Sequence, residues 1–160
     1  MLNTPDVSSK EYPYRSLLQV NNDVHSQLYS VVESFLDQNL KHMVKEYDRN
    51  IAQVISHTLT TERYYFIGHL AEGKSIENYD EPTIKTIKQA LEMIQENLDQ
   101  TNSQIENLSI EDLNTTIKTE WGQEMTKELA LWQGITQIML HTGEICLMAG
   151  IGGFYKGVLG

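Results

Sequence analysis

Apolar residues return at three- and four-residue steps along most of the chain, the period of helices that bury one face. Leu17, Val20, Val24, Leu28, Val31, Val32 and Phe35 form the first stripe and predict a helix over 14–37. Leu36, Leu40, Met43 and Val44 continue the pattern, which leaves 38–49 open between helix and linker. Asn50 is placed to cap a second helix over 50–72, with Ile51, Val54, Ile55, Thr58, Leu59, Glu62, Tyr65, Phe66 and His69 on one arc. Gly73 and Pro82 then mark a loop, and Pro82 or Thr83 opens a third helix over 83–107. Ser109 and Asp112 have the form of a capping box on a short turn near 109–114. The fourth helix, over 123–149, is apolar around a broad arc and is expected to be the most buried. The pattern predicts an all-α four-helix bundle of antiparallel helices, with no sheet, as one domain over 1–160. Residues 1–13 read as a mobile lead-in and 150–160 as a Gly-rich tail.

Composition narrows the function classes. The net charge of −10 argues against nucleic acid and against anionic membranes. The N-terminus lacks the apolar core of a signal peptide and no run is long enough to span a bilayer, so a cytoplasmic protein is expected. One cysteine, Cys146, allows no internal disulfide; with no positive neighbour it reads as a small core residue. Phe154, Tyr155, Val158 and Leu159 make the tail too apolar for a free end, which predicts a two-fold homodimer burying part of the tail or the first helix.

Five histidines carry the candidate chemistry. Gln137, His141 and Glu144 stand at i, i+4 and i+7, within about 60° on one helix face. Such a trio beside Ile138, Ile145 and Met148 must find partners, either a metal in the bundle core or a hydrogen-bonded His–Gln–Glu cluster. His57 lies about 120° from the centre of its helix's apolar arc, while His69 is nearer that centre. His25 and His42 read as surface or edge positions.

Two stretches resemble the DinB-like (YfiT-type) family. Its second helix carries the phrase S-I-x-x-[IL]-[IL]-x-H-[IL]-x-x-x-E. Residues 50–62, NIAQVISHTLTTE, follow it with His57 in the ligand position and Glu62 five residues on. The family's last helix carries L-W-x-x-I-x-H-x-x-x-H-x-G-[QE]-[IL]. In residues 131–145, LWQGITQIMLHTGEI, the matches are Leu131, Trp132, Ile135, His141, Gly143, Glu144 and Ile145. Gln137 stands where the family usually has its middle histidine.

The resemblance implies an up-and-down-type bundle, commonly dimeric, holding zinc or nickel with one histidine of the second helix and two of the fourth. The implied metal residues here are His57 and His141, with Gln137 or Glu144 as the third group. It implies a metal-dependent enzyme of thiol-transferase or hydrolase type, acting on a small molecule or with a low-molecular-weight thiol. Tyr64, Tyr65 and Trp132 are candidates for the pocket mouth. The alternative is a catalytically silent dimeric bundle that binds a small ligand or partner without metal, which Gln137 favours. Ferritin-like iron chemistry would need ExxH motifs on two helices, and they are missing.

Overall fold

The structure, a computed structural model, describes residues 1–76 and 79–155. Its long helices are α1 (Tyr14–Glu33), α2 (Ile51–Thr60), α3 (Ile87–Glu106) and α5 (Lys127–Ile151); α4 (Ile110–Leu113) is a single turn. A 3₁₀ turn, Asp37–Lys41, occupies part of the stretch left open after the first helix. A π-helix, Thr61–Ala71, continues α2 without a break.

Capping residues set the starts of the helices. Asn50 and Gln53 form the box that opens α2, each side chain meeting the other's backbone N–H at 2.9 Å. Thr86 and Gln89 do the same for α3. The third helix therefore begins four residues after Thr83, because Thr86 supplies an N-terminal acceptor. Ser109 and Asp112 form the expected box on α4.

Three expectations need correction. The chain does contain a sheet: β1 (Thr116–Lys118) pairs antiparallel with β2 (Glu124–Thr126), and Gly122 with φ +86° makes its turn. That hairpin takes residues 123–126 from the predicted fourth helix, and Thr126 caps α5 instead. The lead-in lies along the bundle, with Leu2 and Val7 buried and Asn3 exchanging hydrogen bonds with Gln95 of α3. Val158 and Leu159 fall outside the described residues, whereas Phe154 folds back edge-on to Phe35 at 5.5 Å and Tyr155 at 6.0 Å.

Cross-helix contacts give the topology. Tyr14 bonds Leu108, and His25 lies beside Asn97, so α1 and α3 are antiparallel. His57 meets His141 while Phe66 packs beside Gly134, so α2 and its π continuation run antiparallel to α5. Glu62 bonds Asn97 and Glu72 bonds Gln104, so α2 and α3 run in the same direction. The order is up-down-down-up, and it differs from the up-and-down order that the resemblance implied. A crossover must carry the chain from the bottom of the π-helix back to the top of α3. It climbs alongside α2: Tyr79 stacks on Tyr64 at 5.4 Å, and Ser56 Oγ donates to Pro82 O at 2.7 Å.

The π-helix explains a misread phase. An α period puts Glu62, Tyr65, Phe66 and His69 on one arc. With i→i+5 bonding, residues five apart share a face. Glu62, Phe66, Ile67, Leu70 and Ala71 are buried, while Tyr65 and His69 are only partly so. Gly134 on α5 leaves room for this wall, since a Cβ there would lie 2.8 Å from Phe66 Cβ. Gly134→Ala is therefore expected to destabilise the fold by about 1–3 kcal/mol through overpacking. Urea unfolding checks this, and an unchanged midpoint would contradict it.

Candidate metal centre

α2 and α5 bring His57 and His141 together, with ring centroids 5.7 Å apart and planes at 86°. Each imidazole is braced by a carboxylate. His57 Nδ1 donates to Glu81 Oε1 at 2.5 Å, and His141 Nδ1 donates to Glu144 Oε2 at 2.6 Å. Both histidine side chains are about a quarter exposed, at 25% and 23%. With Nδ1 committed in each ring, the two Nε2 atoms carry no hydrogen bond among the described residues. Carboxylate bracing of Nδ1 fixes the tautomer that offers an Nε2 lone pair, the usual outer support of a metal-binding histidine.

The other histidines differ. His25 bonds Asn21 O through Nδ1 at 2.9 Å and lies 3.2 Å from Glu62 Oε2 through Nε2. His69 bonds Lys74 O and Glu120 through its two nitrogens at 2.7 and 2.5 Å. Both rings spend both nitrogens inside the fold. His42 packs edge-on to Phe154 at 5.2 Å. His25, expected at an edge, is fully buried (0% exposed) because Asn21, Asn22 and His25 form a polar face on α1 that meets Asn97, Thr101 and Asn102 of α3.

The donor set can be tested on this geometry. With Zn–N bonds of ~2.1 Å, two imidazoles on one tetrahedral ion keep their centroids roughly 5–5.5 Å apart. The observed 5.7 Å is a few tenths of an ångström from that. Gln137 lies one turn before His141 on the same face of α5 and makes no hydrogen bond among the described residues. Glu144 is held by His141, which places it as an orienting group. No group of three His, Cys, Asp or Glu suited to a metal exists among the described residues. The residues fit an ion held by two imidazoles and at most a weak amide.

Glu81 was invisible to the sequence reading, which saw only a loop; its one signal was the acidic run Asp80–Glu81 just before Pro82. Tyr64 stacks on Tyr79 beneath Arg63, Tyr65 bonds Glu120 and stacks on Trp121, and Trp132 bonds Glu128. Each of the three has a structural partner. A hollow of about 790 Å³ lies elsewhere, between α1 and α5, lined by Ser26, Ser30, Val31, Met139, Gly143 and Cys146. Its lining carries no charge, and burial pushes the Cys146 thiol pKa up, which works against a reactive thiolate there.

The sequence profile of the DinB superfamily matches residues 22–145. The chain belongs to the DinB superfamily. YfiT from Bacillus subtilis is 18% identical, with a TM-score of 0.70 over 95% of this chain and 94% of its own; it is described as "a probable metal-dependent hydrolase with an unusual four-helix bundle topology". A DinB-like protein of Bacillus subtilis is 15% identical, with a TM-score of 0.71 over 86% and 92%. Another, from Bacillus cereus, is 17% identical, with a TM-score of 0.68 over 86% and 91%. No curated protein matches the chain. At these identities the likeness shows the DinB fold and not the activity. No helix among the described residues of this DinB-superfamily chain is long and apolar enough to cross a membrane.

The buried pair beneath the site has a pH signature. Burial opposes a charged His25, but the Glu62 carboxylate and the hydrogen bonds to Glu62 and Asn21 outweigh it and raise the pKa above the ordinary imidazole value. A raised imidazole pKa contributes stability that is whole below the unfolded-state value and is lost as pH rises through the folded-state value. Urea midpoints are expected to fall as pH rises above the ordinary imidazole value of about 6.5, and Glu62→Gln is expected to flatten that fall. A parent protein equally stable below and above that value would contradict it.

Proposed function

We propose that this chain is a metal-dependent enzyme of hydrolytic or thiol-transfer type, with its centre at His57 and His141. One observation carries the reading: two imidazoles 5.7 Å apart, each braced through Nδ1 and each keeping Nε2 unspent. His57 and His141 would hold a divalent ion, zinc or nickel, and Gln137 would supply its amide oxygen as a third, weaker donor. Such an ion lowers the pKa of a bound water or thiol and so supplies a nucleophile at neutral pH. Glu81 and Glu144 keep the rings in the liganding tautomer, and Glu81 does so from the crossover, which also fixes the loop beside the site. The substrate is a small molecule, with a low-molecular-weight thiol as the expected co-substrate of the transferase form.

The metal-free alternative rests on Gln137. A neutral amide in place of an imidazole leaves only two strong donors, and a bundle with this seam would then bind a ligand through hydrogen bonds alone. We also propose a two-fold dimer, now through the outer face of α5. Met139, Leu140, Leu147 and Ile151 are exposed there, while Phe154 and Tyr155 already pack within their own chain.

Metal analysis of untagged protein and zinc titration decide between these readings. Zinc is expected at one ion per chain. Gln137→His is expected to tighten binding, because imidazole is the stronger donor. Glu81→Gln is expected to weaken it by about 10- to 100-fold, as losses of outer-sphere partners do. Zinc binding unaffected by His57→Ala would overturn the metal reading.

A further inference from the structure

The seam between α2 and α5 continues inward from the two histidines. One turn in, Thr61 follows His57 by four residues, and Gln137 precedes His141 by four. Thr61 Oγ1 is buried without a hydrogen-bond partner. Beside Thr61, as the next residue of the same helix, stands Glu62, whose Cγ would sit 3.6 Å from a Cβ on Gly134, three residues before Gln137. Gly134, Gln137 and His141 share one face of α5, so Glu62 meets the seam that the histidines open. Glu62 is 0% exposed; its Oε2 is engaged, but its Oε1 has no partner. A buried polar atom left unpaired costs about 1–3 kcal/mol. Two such atoms on one wall, with Gln137 on the face of α5 that adjoins Glu62, form a polar file, and internal water with two to four polar partners is the usual way to satisfy such atoms.

The inner end of the file accommodates either of two protonation states. Asn97 Nδ2 lies 2.7 Å from Glu62 Oε2 and 3.2 Å from His25 Nε2, and an amide nitrogen carries two hydrogens. When His25 is neutral, Asn97 donates to both. When His25 is protonated, its Nε2 donates to Glu62 Oε2 at 3.2 Å. Nδ1 donates to Asn21 O in both states. One proton can therefore arrive or leave without stranding a ring nitrogen.

We propose that His25, Glu62 and Asn97 form an internal proton-binding site, joined to the His57/His141 site by water bridging Gln137, Thr61 Oγ1 and Glu62 Oε1. The step moves one proton and nothing else: an acid at the outer site gives it up, Glu62 receives it at Oε1, rotation of the neutral carboxyl group brings the O–H to the Oε2 position, and a neutral His25 takes it at Nε2 across 3.2 Å. α1 presents His25 to Glu62, α3 presents the neutral Asn97, and α5 presents Gly134; Glu96 beside Asn97 lies outward, 3.7 Å from Arg63. The raised pKa of His25 suits a group that keeps this proton until it is called for. Glu62 is five residues from His57, and the inference needs no bound metal.

The test is the exchange of the His25 ring protons with solvent, read by NMR on the full chain with labelled histidine. A ring sealed in the core would exchange only through global opening, at the rate of the slowest backbone amides. Much faster exchange is expected, slowed about tenfold or more by Thr61→Val and by Gln137→Leu, both of which keep the shape of the seam. Exchange at the global opening rate in the parent, or rates unchanged in both variants, would overturn the proposal. Zinc chloride forms a separate arm. Slowing by zinc supports both this path and the metal centre; variant-sensitive but zinc-insensitive exchange supports the path and counts against the metal.

Discussion

The carboxylate of Glu62 sits where the four long helices meet, and it is fully buried. An ion in that position costs several kcal/mol unless it is hydrogen-bonded and neutralised. The donors come from two other helices, His25 of α1 and Asn97 of α3, and the space comes from Gly134 of α5. Apolar packing is non-directional and tolerates a slipped helix; hydrogen bonds at 2.7 to 3.2 Å do not. A slide of one turn, about 5.4 Å, would carry a donor out of reach. Glu62 thus sets the axial register of the bundle. The candidate centre inherits that register, because His57 lies five residues before Glu62 and His141 seven after Gly134.

Topology supplies the rest of the centre. Parallel α2 and α3 force the chain to climb the full height of α2 before α3 can start. That climb brings Glu81 against His57 Nδ1 and Pro82 O against Ser56. In an up-and-down bundle the same connection would be a short turn at the far end, and His57 would lack this carboxylate. The π-helix matters too: beyond Glu62 its five-residue repeat buries Ile67 and Leu70 and leaves His69 at the edge, where Glu120 and the Lys74 carbonyl engage both of its nitrogens.

The helical pattern, the Asn50 cap and the Ser109–Asp112 box were legible because each is a local signal, carried by residues within a turn of one another. The pairing of His57 with His141 was not legible from phase, which left His57 at an edge; it was the family phrase that singled out both residues. His25 was misplaced because a polar residue on a helix reads as exposed unless its partners are known, and here they lie about 70 to 80 residues away on α3. The spacing of Asn21 and His25, matched by Asn97 and Thr101, is the trace that was available: two i, i+4 polar pairs within otherwise apolar stripes. Glu81 left no such trace, since its role depends on where a crossover runs. The switch from α to π bonding at Thr61 left none either.

The departure at Gln137 is best weighed against the chain's own histidines. His25 and His69 engage both nitrogens with protein groups, whereas His42 packs on Phe154 with its Nε2 buried and unpartnered. His57 and His141 engage one each, and in both rings it is Nδ1, to a carboxylate. Two neighbouring rings with the same nitrogen tied and the same nitrogen spared are not explained by packing, which is indifferent to which nitrogen faces a neighbour. A ligand shared by the two Nε2 atoms, as proposed, would account for them. Gln137 would then change the strength of that centre rather than its location. An amide oxygen gives up less charge than an imidazole nitrogen, so an ion bound there would be held more loosely than by three imidazoles. A single side chain stands between the outer pair of histidines and the buried carboxylate that fixes their height.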